Sequence, residues 1–368
     1  MSPAESLARL RLARTEGVGP QTFRRLLAQH GSAEAALAAL PRQAARRGAA
    51  FALAPEDAVR REAEALTRMG GAWLHIGTPA YPRLLALAED APPVLAVLGD
   101  PAVLHRRQVA LVGARSASAG GRRMAEELAE GLVRAGLAVT SGLARGVDAA
   151  AHLGALRAGG ATVAAVAGGL DQPYPAENAA LQARIAAEGG AVVAEAPLGT
   201  APLARHFPRR NRIVAGLVLG VVVVEAALRS GSLITARLAL EAGRELFAVP
   251  GSPLDPRARG SNDLIRQGAH LTEGAEDVLA QLPAAPREMP PPGPRPRPAA
   301  LFDPVPEPVA TGGDAAQVLE LIGGAPVAVD DLVRRCHLSA PALQAILLDL
   351  ELSGLVECLP GNRVTRAT

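Results

Sequence analysis

The chain has 368 residues, of which 49% are hydrophobic but only 2% aromatic, and its formal net charge is +2. This length allows two or three domains with a full-sized core, which must be built mainly from Ala, Val and Leu. The sequence contains no lysine, so all 38 Lys and Arg positions are arginines. The absence of lysine excludes a phosphate-loop ATPase with the usual Gly-Lys-Ser/Thr motif and an enzyme that forms a lysine Schiff base.

Several features predict a cytoplasmic protein without a membrane span or a metal site. Charged residues occur from Glu5 onward, and the N-terminus lacks the apolar core of a signal peptide. The longest apolar run, residues 213–224, has about half of the roughly 20 residues that a membrane-spanning helix needs. Cys336 and Cys358 have no metal-ligand partners around them, which is typical of reduced thiols in a reducing compartment.

Composition divides the chain into four segments. Residues 283–312 are rich in proline and carry both signs of charge, which predicts an extended linker between a body and a small tail. Residues 1–66 predict a small domain of short helices. Two of these helices flank Gly17-Val18-Gly19-Pro20, a turn typical of the helix-hairpin-helix motif, although an ordinary helical hairpin explains it equally well.

Short β-rich runs alternate with amphipathic stretches in residues 71–280. Most of the runs are continuously apolar, as expected of strands that are buried on both faces of a parallel sheet. The expected strands are residues 73–76, 108–112, 137–140, 162–167, 191–194, 219–224 and 245–249. The pattern predicts an α/β domain with a Rossmann-like doubly wound parallel sheet.

The tail, residues 313–368, predicts a winged-helix domain. Residues 314–322, 329–336 and 339–353 are the expected helices, and two short strands flanking residues 360–362 are the expected wing. In most such domains the third helix enters a DNA groove. Here it carries Asp349 and Glu351 and no arginine, which is the wrong charge opposite phosphates. This favours a protein-contact role, although nearby arginines leave a second DNA surface open.

Four of the expected strands are followed by loops rich in Gly, Ser and Arg. The carboxyl ends of parallel strands meet at one edge of a sheet, so these loops should converge there. Glycine lets a phosphate approach the backbone, and serine and arginine can donate hydrogen bonds to it. An ordinary tight turn explains any single loop, but four at one edge indicate an anion site. The loop residues assigned to this site are Gly113, Arg115, Ser118, Gly120, Ser141, Gly142, Arg145, Gly146, Ser230 and Ser232.

Arginines are also segregated from acidic residues. Neither residues 101–125 nor residues 196–224 contain Asp or Glu, and both stretches are rich in arginine, which indicates a polyanion-binding surface. An aromatic ring among arginines, here Phe207, is typical of single-stranded DNA binding. The alternative is that Phe207 packs in the core. The residues of the second stretch assigned to DNA are Arg205, Phe207, Arg210, Asn211 and Arg212.

Two enzyme classes are less consistent with these loops. A dinucleotide oxidoreductase should have Gly-x-Gly-x-x-Gly in the first loop and an acid after the next strand, where Thr140 and Ser141 stand instead. A hydrolase could use Ser141, Asp148 and His152. However, Asp148 and His152 are four residues apart on one expected helix, where a local polar pair is the commoner explanation.

Ordered motifs across residues 81–269 resemble the DprA/Smf family of DNA-processing proteins. They include Gly-x-Arg-x-x-Ser at residues 113–118, Ser-Gly-Leu-Ala-Arg-Gly-Val-Asp at 141–148, Phe-Pro-x-Arg-Asn-Arg-Ile at 207–213 and Ser-Gly-Ser-Leu-Ile-Thr-Ala at 230–236. The resemblance implies a protein that binds incoming single-stranded DNA during natural transformation, loads the recombinase RecA, uses no cofactor and hydrolyses nothing. It also implies a homodimer through the Rossmann-like domain, although no dimer motif can be transferred residue by residue.

The same resemblance implies that DNA lies along Arg115, the 141–146 loop and residues 207–212. The family often uses lysines on this path, and here arginine must replace each of them. The alternative is a nucleotide-processing enzyme of the phosphoribohydrolase type. It would need a Pro-Gly-Gly-x-Gly-Thr loop near a catalytic Glu, and residues 230–232 stand at a comparable place without that pattern. A transcriptional regulator that acts through the winged helix is disfavoured by the acidic third helix.

Overall fold

The computed structural model describes residues 1–46 and 52–283, and in the tail residues 318–319, 321–322, 327–336, 343, 346–347, 350–351, 355–359 and 363–366. Two compact units divide the chain, residues 1–291 and residues 292–368. Nearly all of the expected linker, residues 283–312, lies outside the described residues. Among the described residues, no helix is long and apolar enough to cross a bilayer.

The first unit combines helices with one sheet. Its α-helices are α1 Pro3–Arg14, α2 Pro20–His30, α3 Ala33–Arg46, α4 Glu56–Arg68, α5 Arg83–Ala86, α6 Ala119–Arg134, α7 Val147–Arg157, α8 Ala179–Ala187, α9 His206–Leu217, α10 Gly231–Glu241, α11 Arg259–Arg266 and α12 Ala275–Gln281. Its strands are β1 Ala72–His75, β2 Val94–Gly99, β3 Gln108–Val112, β4 Ala138–Ser141, β5 Thr162–Ala165, β6 Ala191–Ala194, β7 Gly220–Val223, β8 Glu245–Ala248 and β9 His270–Leu271. Short 3-10 helices lie at Pro101–His105, Ala176–Asn178 and Pro256–Ala258.

The nine strands form one sheet in the order β1-β2-β6-β5-β4-β3-β7-β8-β9. All neighbours from β6 to β9 are parallel, whereas β2 is antiparallel to both β1 and β6. The predicted Rossmann-like parallel sheet is therefore confirmed, and the antiparallel strand β2 was not predicted. The chain runs outward from β3 in one direction to β6 and then returns to place β7 on the other side of β3. This reversal is the topological switch point of the fold.

Helices α6 and α7 show how the apolar pattern builds the core. Leu128 and Leu132 of α6 are almost fully buried against strands β3 and β4. Helix α7 approaches α6 closely at Gly154, where a Cβ atom would lie 2.6 Å from the carbonyl oxygen of Glu126. A residue larger than glycine would force the two helices apart, so this position sets the spacing of the helix pair.

The N-terminal helices pack directly on the sheet domain. Leu10 of α1 and Val59 of α4 share a buried cluster with Val94 of β2. Arg14 forms an ion pair with Glu62 at 2.8 Å, and only 12% of each side chain is exposed. Arg14 Nη1 also donates to the carbonyl oxygen of Glu195 at 3.1 Å. These contacts join the helices and the sheet in one compact unit.

The pKa values of two buried histidines predict that the stability of this unit is sensitive to acid. His152 Nδ1 lies 2.7 Å from Thr162 Oγ1, and the Thr162 hydroxyl donates to the carbonyl oxygen of Val139. The Thr162 oxygen must then accept from an Nδ1–H, so Nδ1 of His152 carries a proton. Burial lowers the pKa of His152 to about 3. It also lowers the pKa of His75, which contacts Ser6, to about 4.

We expect the free energy of unfolding to fall as the pH drops from about 6.5 towards 4. In that range the unfolded chain binds protons at both histidines, whose ordinary pKa is 6.5, whereas the folded chain does not. The expected loss at pH 5 relative to pH 7.5 is roughly 2 kcal/mol per histidine. Urea denaturation at both pH values measures it. A variant with His75→Gln and His152→Gln should lose this dependence, and an unchanged dependence would contradict the assignment.

The second unit has the elements of the predicted winged helix. Strands β10 Val327–Ala328, β11 Val356–Leu359 and β12 Arg363–Arg366 form an antiparallel sheet in the order β10-β12-β11. A helix spans Val329–Cys336. Leu343, Ile346, Leu347 and Leu350, the expected buried stripe of the third helix, all lie in the core cluster of this unit. The tip of the expected wing, residues 360–362, lies outside the described residues.

Candidate nucleic-acid interface

The loops that follow the parallel strands meet at one edge of the sheet. Loop A comprises residues 113–118 after β3, and loop B comprises residues 142–146 after β4. Loop B packs on the backbone of loop A through Gly146, whose φ is +72° and whose Cβ would lie 2.3 Å from the carbonyl oxygen of Ala114. The amide of Val147 donates to that same oxygen at 3.2 Å. Only glycine fits both the positive φ and this close approach.

Arg210, near the start of α9, contacts loop B from the interior of the protein. Its side chain is buried, and Nη1 donates to the carbonyl oxygens of Gly142 and Ala165. A Cβ atom at Gly142 would lie 2.6 Å from this guanidinium group, so glycine makes room for it. Burial lowers the pKa of Arg210 to about 10, which leaves the group charged at neutral pH.

The buried carboxylate of Asp148 interacts with the charge of Arg210 and also binds loop B. Its Oδ2 accepts hydrogen bonds from the amides of Gly142 at 3.1 Å and Ala144 at 3.3 Å. Burial raises the pKa of Asp148, and the guanidinium of Arg210 opposes that shift. Arg210 and Asp148 therefore hold loop B through its carbonyl and amide groups, respectively.

Phe207 is the centre of an aromatic and cationic cluster at this edge. The ring is half-buried, and the guanidinium carbon of Arg115 from loop A lies 5.0 Å from its centroid. Tyr174 contacts the same ring edge to face, with centroids 5.6 Å apart and an interplanar angle of 64°. Tyr174 remains 41% exposed. The cluster thus presents two aromatic rings and one cation to solvent.

Three exposed arginines, Arg115, Arg145 and Arg205, form what we call the arginine edge. Arg145 pairs with Glu177 at 2.8 Å, but both side chains are more than half exposed, so this pair contributes little stability. Within the part of the chain that the structure describes, no carboxylate lies within ion-pair distance of Arg115 or Arg205. The first turn of α9 also lacks acidic residues. The arginine edge can therefore accept an anion without displacing strong internal partners.

Other residues assigned from the sequence make their contacts inside the protein. Arg212 pairs with Glu195 at 2.5 Å, and only 10% and 14% of the two side chains are exposed. The buried Ser141 hydroxyl donates to the carbonyl oxygen of Leu111 at 2.6 Å. The Asn211 amide donates to the carbonyl oxygen of Gly231 at 3.4 Å. Together with Arg210, these residues shape the edge from within, so their direct contact with DNA stays a prediction.

The serines at the two helix N-termini also have partners. Ser118 is the N-cap of α6 and accepts a hydrogen bond from the amide of Gly121 at 2.8 Å. Ser230 is the N-cap of α10, and its hydroxyl oxygen lies 2.6 Å from that of Ser232. Gly113 lies at the start of loop A, and Gly120 in the first turn of α6 is exposed.

The possible hydrolase trio is not assembled as a relay. His152 contacts Thr162, whereas Ser141 donates to a backbone carbonyl and Asp148 binds loop amides. Among the described residues, no hydrogen bond joins His152 to Ser141 or Asp148. No group of three His, Cys, Asp or Glu side chains in the described part of the chain is arranged to hold a metal ion.

Sequence reasoning left Tyr174 and Glu225 out of the site. Tyr174 is one of only two tyrosines, and the other, Tyr81, is buried and donates to the carbonyl oxygen of Pro92 at 2.7 Å. The scarcity of exposed aromatic residues was the signal that could have identified Tyr174. Glu225 interacts with Ser118 across 107 positions of sequence, which no local pattern reveals.

Three family models match the chain, and together they follow its domain organisation. The model described as DNA recombination-mediator protein A matches residues 72–283, which is more than half of the chain. The chain belongs to the DprA/Smf family. The model of the DprA-like N-terminal HHH domain matches residues 3–65, and that of the DprA winged helix domain matches residues 302–362. The predicted family, the helical N-terminal domain and the winged helix are thereby confirmed.

Relatives and solved structures of the DprA/Smf family agree with this assignment. Protein Smf of Escherichia coli is 41% identical over 291 residues, which are 77% of this chain and 74% of that protein. DNA processing protein DprA of Streptococcus pneumoniae is 46% identical over 201 residues, 55% of this chain and 71% of that protein.

Two solved DprA structures are similar to this fold. The X-ray structure of DprA from Streptococcus pneumoniae matches with a TM-score of 0.64 and 33% identity, covering 77% of this chain and 99% of that one. A structure of DprA from Helicobacter pylori matches with a TM-score of 0.52 and 29% identity, covering 57% and 94%. The latter structure concerns the single-stranded DNA binding mode of the Helicobacter protein.

Proposed function

We propose that this DprA/Smf family member binds single-stranded DNA along the arginine edge and processes it without hydrolysis, as part of natural transformation. The observation that carries the proposal is the Phe207 cluster, in which Arg115 lies 5.0 Å from the ring centroid and Tyr174 packs against the ring. Arginines neutralise phosphates, while an aromatic face accepts a base regardless of its identity. The single-stranded DNA binding mode described for the Helicobacter protein supports the same substrate here.

The geometry favours single-stranded over duplex DNA because only a single strand has unpaired bases that can stack on the Phe207 ring. A base in a duplex is stacked on its neighbours and cannot lie on a side-chain ring unless the duplex opens. A single strand exposes its bases, so it can place phosphates on Arg115 and Arg205 and a base on the aromatic cluster together. Affinity from phosphates alone would not distinguish the two forms in this way.

The residues divide into two groups under this proposal. Direct contacts come from the arginine edge, from Phe207 and from the backbone of the exposed Gly120 and the half-buried Gly113 and Gly146. Ser230 and Ser232 stay candidates for hydrogen bonds to the backbone of the strand, whereas Ser118, whose amide and hydroxyl both donate to Glu225, shapes loop A from within. Positioning residues act through loop B and α9. These positioning residues are Ser141, Gly142, Arg210, Asn211 and Arg212.

The proposal extends to partners and to the absence of turnover. Family membership supports a cytoplasmic role in which the protein protects the incoming strand and loads RecA, and it supports a homodimer through the Rossmann-like domain. The competing phosphoribohydrolase activity would need a vacant nucleotide-phosphate position. The carboxylate of Glu225, which follows β7, lies at the N-terminus of α6 where such a phosphate would bind. We therefore expect no nucleotide hydrolysis.

The test is a competition between single-stranded and duplex DNA of equal length for the full chain. A fluorescently labelled single strand is bound first, and unlabelled competitors are added over a salt series around 150 mM. We expect the single strand to compete at least about tenfold better, which corresponds to 1.4 kcal/mol. Equal or better competition by the duplex at that salt concentration would refute the proposal.

A further inference from the structure

The switch point of the sheet, between β3 and β7, is where Rossmann-like proteins bind the phosphates of nucleotides. Loop A leaves β3 and leads into α6, a helix of 16 residues without an acidic residue in its first turn. The free amides and the dipole of such a helix attract an anion to its N-terminus. In this chain that position is not open, because a side chain from the neighbouring strand fills it.

The side chain is that of Glu225, which follows β7. Its Oε2 accepts a hydrogen bond from the amide of Ser118 at 2.9 Å, and its Oε1 accepts one from the Ser118 hydroxyl at 2.5 Å. The carboxylate also covers Gly121, where a Cβ atom would lie 2.4 Å from its carbon and 2.6 and 2.7 Å from its two oxygens. The carboxylate therefore lies directly against the first turn of α6.

The charge of Glu225 is balanced by this helix end rather than by a side chain. Within the described residues, no arginine or histidine lies within ion-pair distance of its carboxylate. Arg257, whose guanidinium is close enough to interact with Glu225 at longer range, forms its ion pair with Asp255 at 2.8 Å. An anion that is held by a backbone amide, a hydroxyl group and a helix N-terminus is bound as a phosphate would be.

We infer that Glu225 is a built-in anion that occupies the nucleotide-phosphate position of this fold and closes it to phosphate-bearing small molecules. Glu225 is thus a specificity-determining residue, since it leaves the arginine edge as the place where an external polyanion can bind. The occupation of this position rests on the contacts between loop A, α6 and Glu225, whereas the role of Glu225 in specificity rests on the proposed function.

Removing the carboxylate should open the position to an external anion. We expect inorganic phosphate at about 50 mM to raise the melting temperature of a Glu225→Ala variant by about 3–5 °C over sodium chloride of equal ionic strength. The wild-type chain should respond by less than about 1 °C. The matched control is Glu127→Ala, which removes an exposed carboxylate from the same helix and leaves Glu225 in place. This control should behave as the wild type.

Each outcome of the phosphate experiment decides the question. If Glu225→Ala is unfolded in chloride, phosphate should restore its native circular dichroism. A variant that stays unfolded with phosphate, or that melts at the same temperature in both salts, overturns the inference. Equal stabilisation of the wild type and the variant overturns it as well, because the position would then be open in both.

Gly121 provides an independent measurement of where the carboxylate lies. A methyl group at this position would overlap the Glu225 carboxylate in the wild type but not in a Glu225→Ala background. We expect Gly121→Ala to lower the melting temperature by several degrees alone and to have no such effect when combined with Glu225→Ala. Additive shifts in the double variant would show that the two groups do not meet, and would contradict the assignment.

Discussion

Replacing Arg210 with methionine is expected to lower the free energy of unfolding by about 3–5 kcal/mol, because the change removes the buried cation whose charge stabilises the buried Asp148 carboxylate. Asp148 would stay buried, with its carboxylate stabilised by loop amides and the Ser141 hydroxyl but by no nearby cation from Arg210. The carbonyl oxygens of Gly142 and Ala165 would also lose their donor. Urea denaturation of the variant and the wild type measures the difference.

A matched control for Arg210→Met is Arg209→Met, one residue earlier on α9. Arg209 is 62% exposed and pairs with Glu195 at 3.2 Å, so its loss should change stability by only about 0–1 kcal/mol. Adding Asp148→Asn to Arg210→Met should recover part of the loss, since the second change removes the uncompensated charge. A loss below about 1 kcal/mol for Arg210→Met would show that the guanidinium does not support loop B.

Phe207→Ala should weaken single-stranded DNA binding by about 1–3 kcal/mol, the usual effect of removing one base-stacking ring. Phe207→Tyr and Phe207→Trp should keep most of the affinity, since each retains an aromatic face, whereas Phe207→Leu should not. Tyr174→Ala should also weaken binding, because it removes the ring that packs edge to face on Phe207. None of these changes alters the charge, so the salt dependence of binding should stay the same.

Arg115→Ala complements Phe207→Ala, because it removes a charge from the cluster instead of an aromatic ring. Its guanidinium packs on the same ring but carries charge, so its loss should reduce the log–log slope of affinity against salt by roughly 0.7 for each phosphate contact removed. Binding isotherms over a salt series separate the two effects.

Thermal melting of the Phe207 variants tests the alternative that Phe207 belongs to the core. A core phenylalanine replaced by alanine typically destabilises a fold by about 3–5 kcal/mol. A large loss of stability in Phe207→Ala, or tight DNA binding by Phe207→Leu, would contradict the stacking role.

Hydrophobic pattern predicted most of the sheet, including its edge strand β1, but not the antiparallel strand β2. The expected strand at 191–194 agrees with β6 at Ala191–Ala194, and the one at 108–112 agrees with β3. Strand β2, Val94–Gly99, has an equally continuous apolar run and was overlooked. Its direction could not be predicted in any case, because periodicity along one strand carries no information about which neighbour it pairs with.

The arginines of residues 205–212 show why the site was predicted less well than the fold. Composition marks all of them as candidates for phosphate, yet Arg205 is exposed, Arg210 is buried against loop B and Arg212 is paired with Glu195. The difference comes from partners that are distant in sequence: Gly142 is 68 positions from Arg210, and Glu195 is 17 positions from Arg212. Local sequence composition identifies a charged segment, whereas the tertiary structure determines which of its arginines are exposed.

Glu195 connects two parts of the molecule that the sequence separates. Its carbonyl oxygen accepts a hydrogen bond from Arg14 of the N-terminal helices, and its carboxylate holds Arg209 and Arg212 of α9. A fragment that begins at residue 71 would lose Arg14 and would uncover the apolar surface of Val94. The N-terminal helices therefore help to hold the helix that carries Phe207 in place. The domain border near residue 70 is a border in sequence, but the two sides of it pack together in the structure.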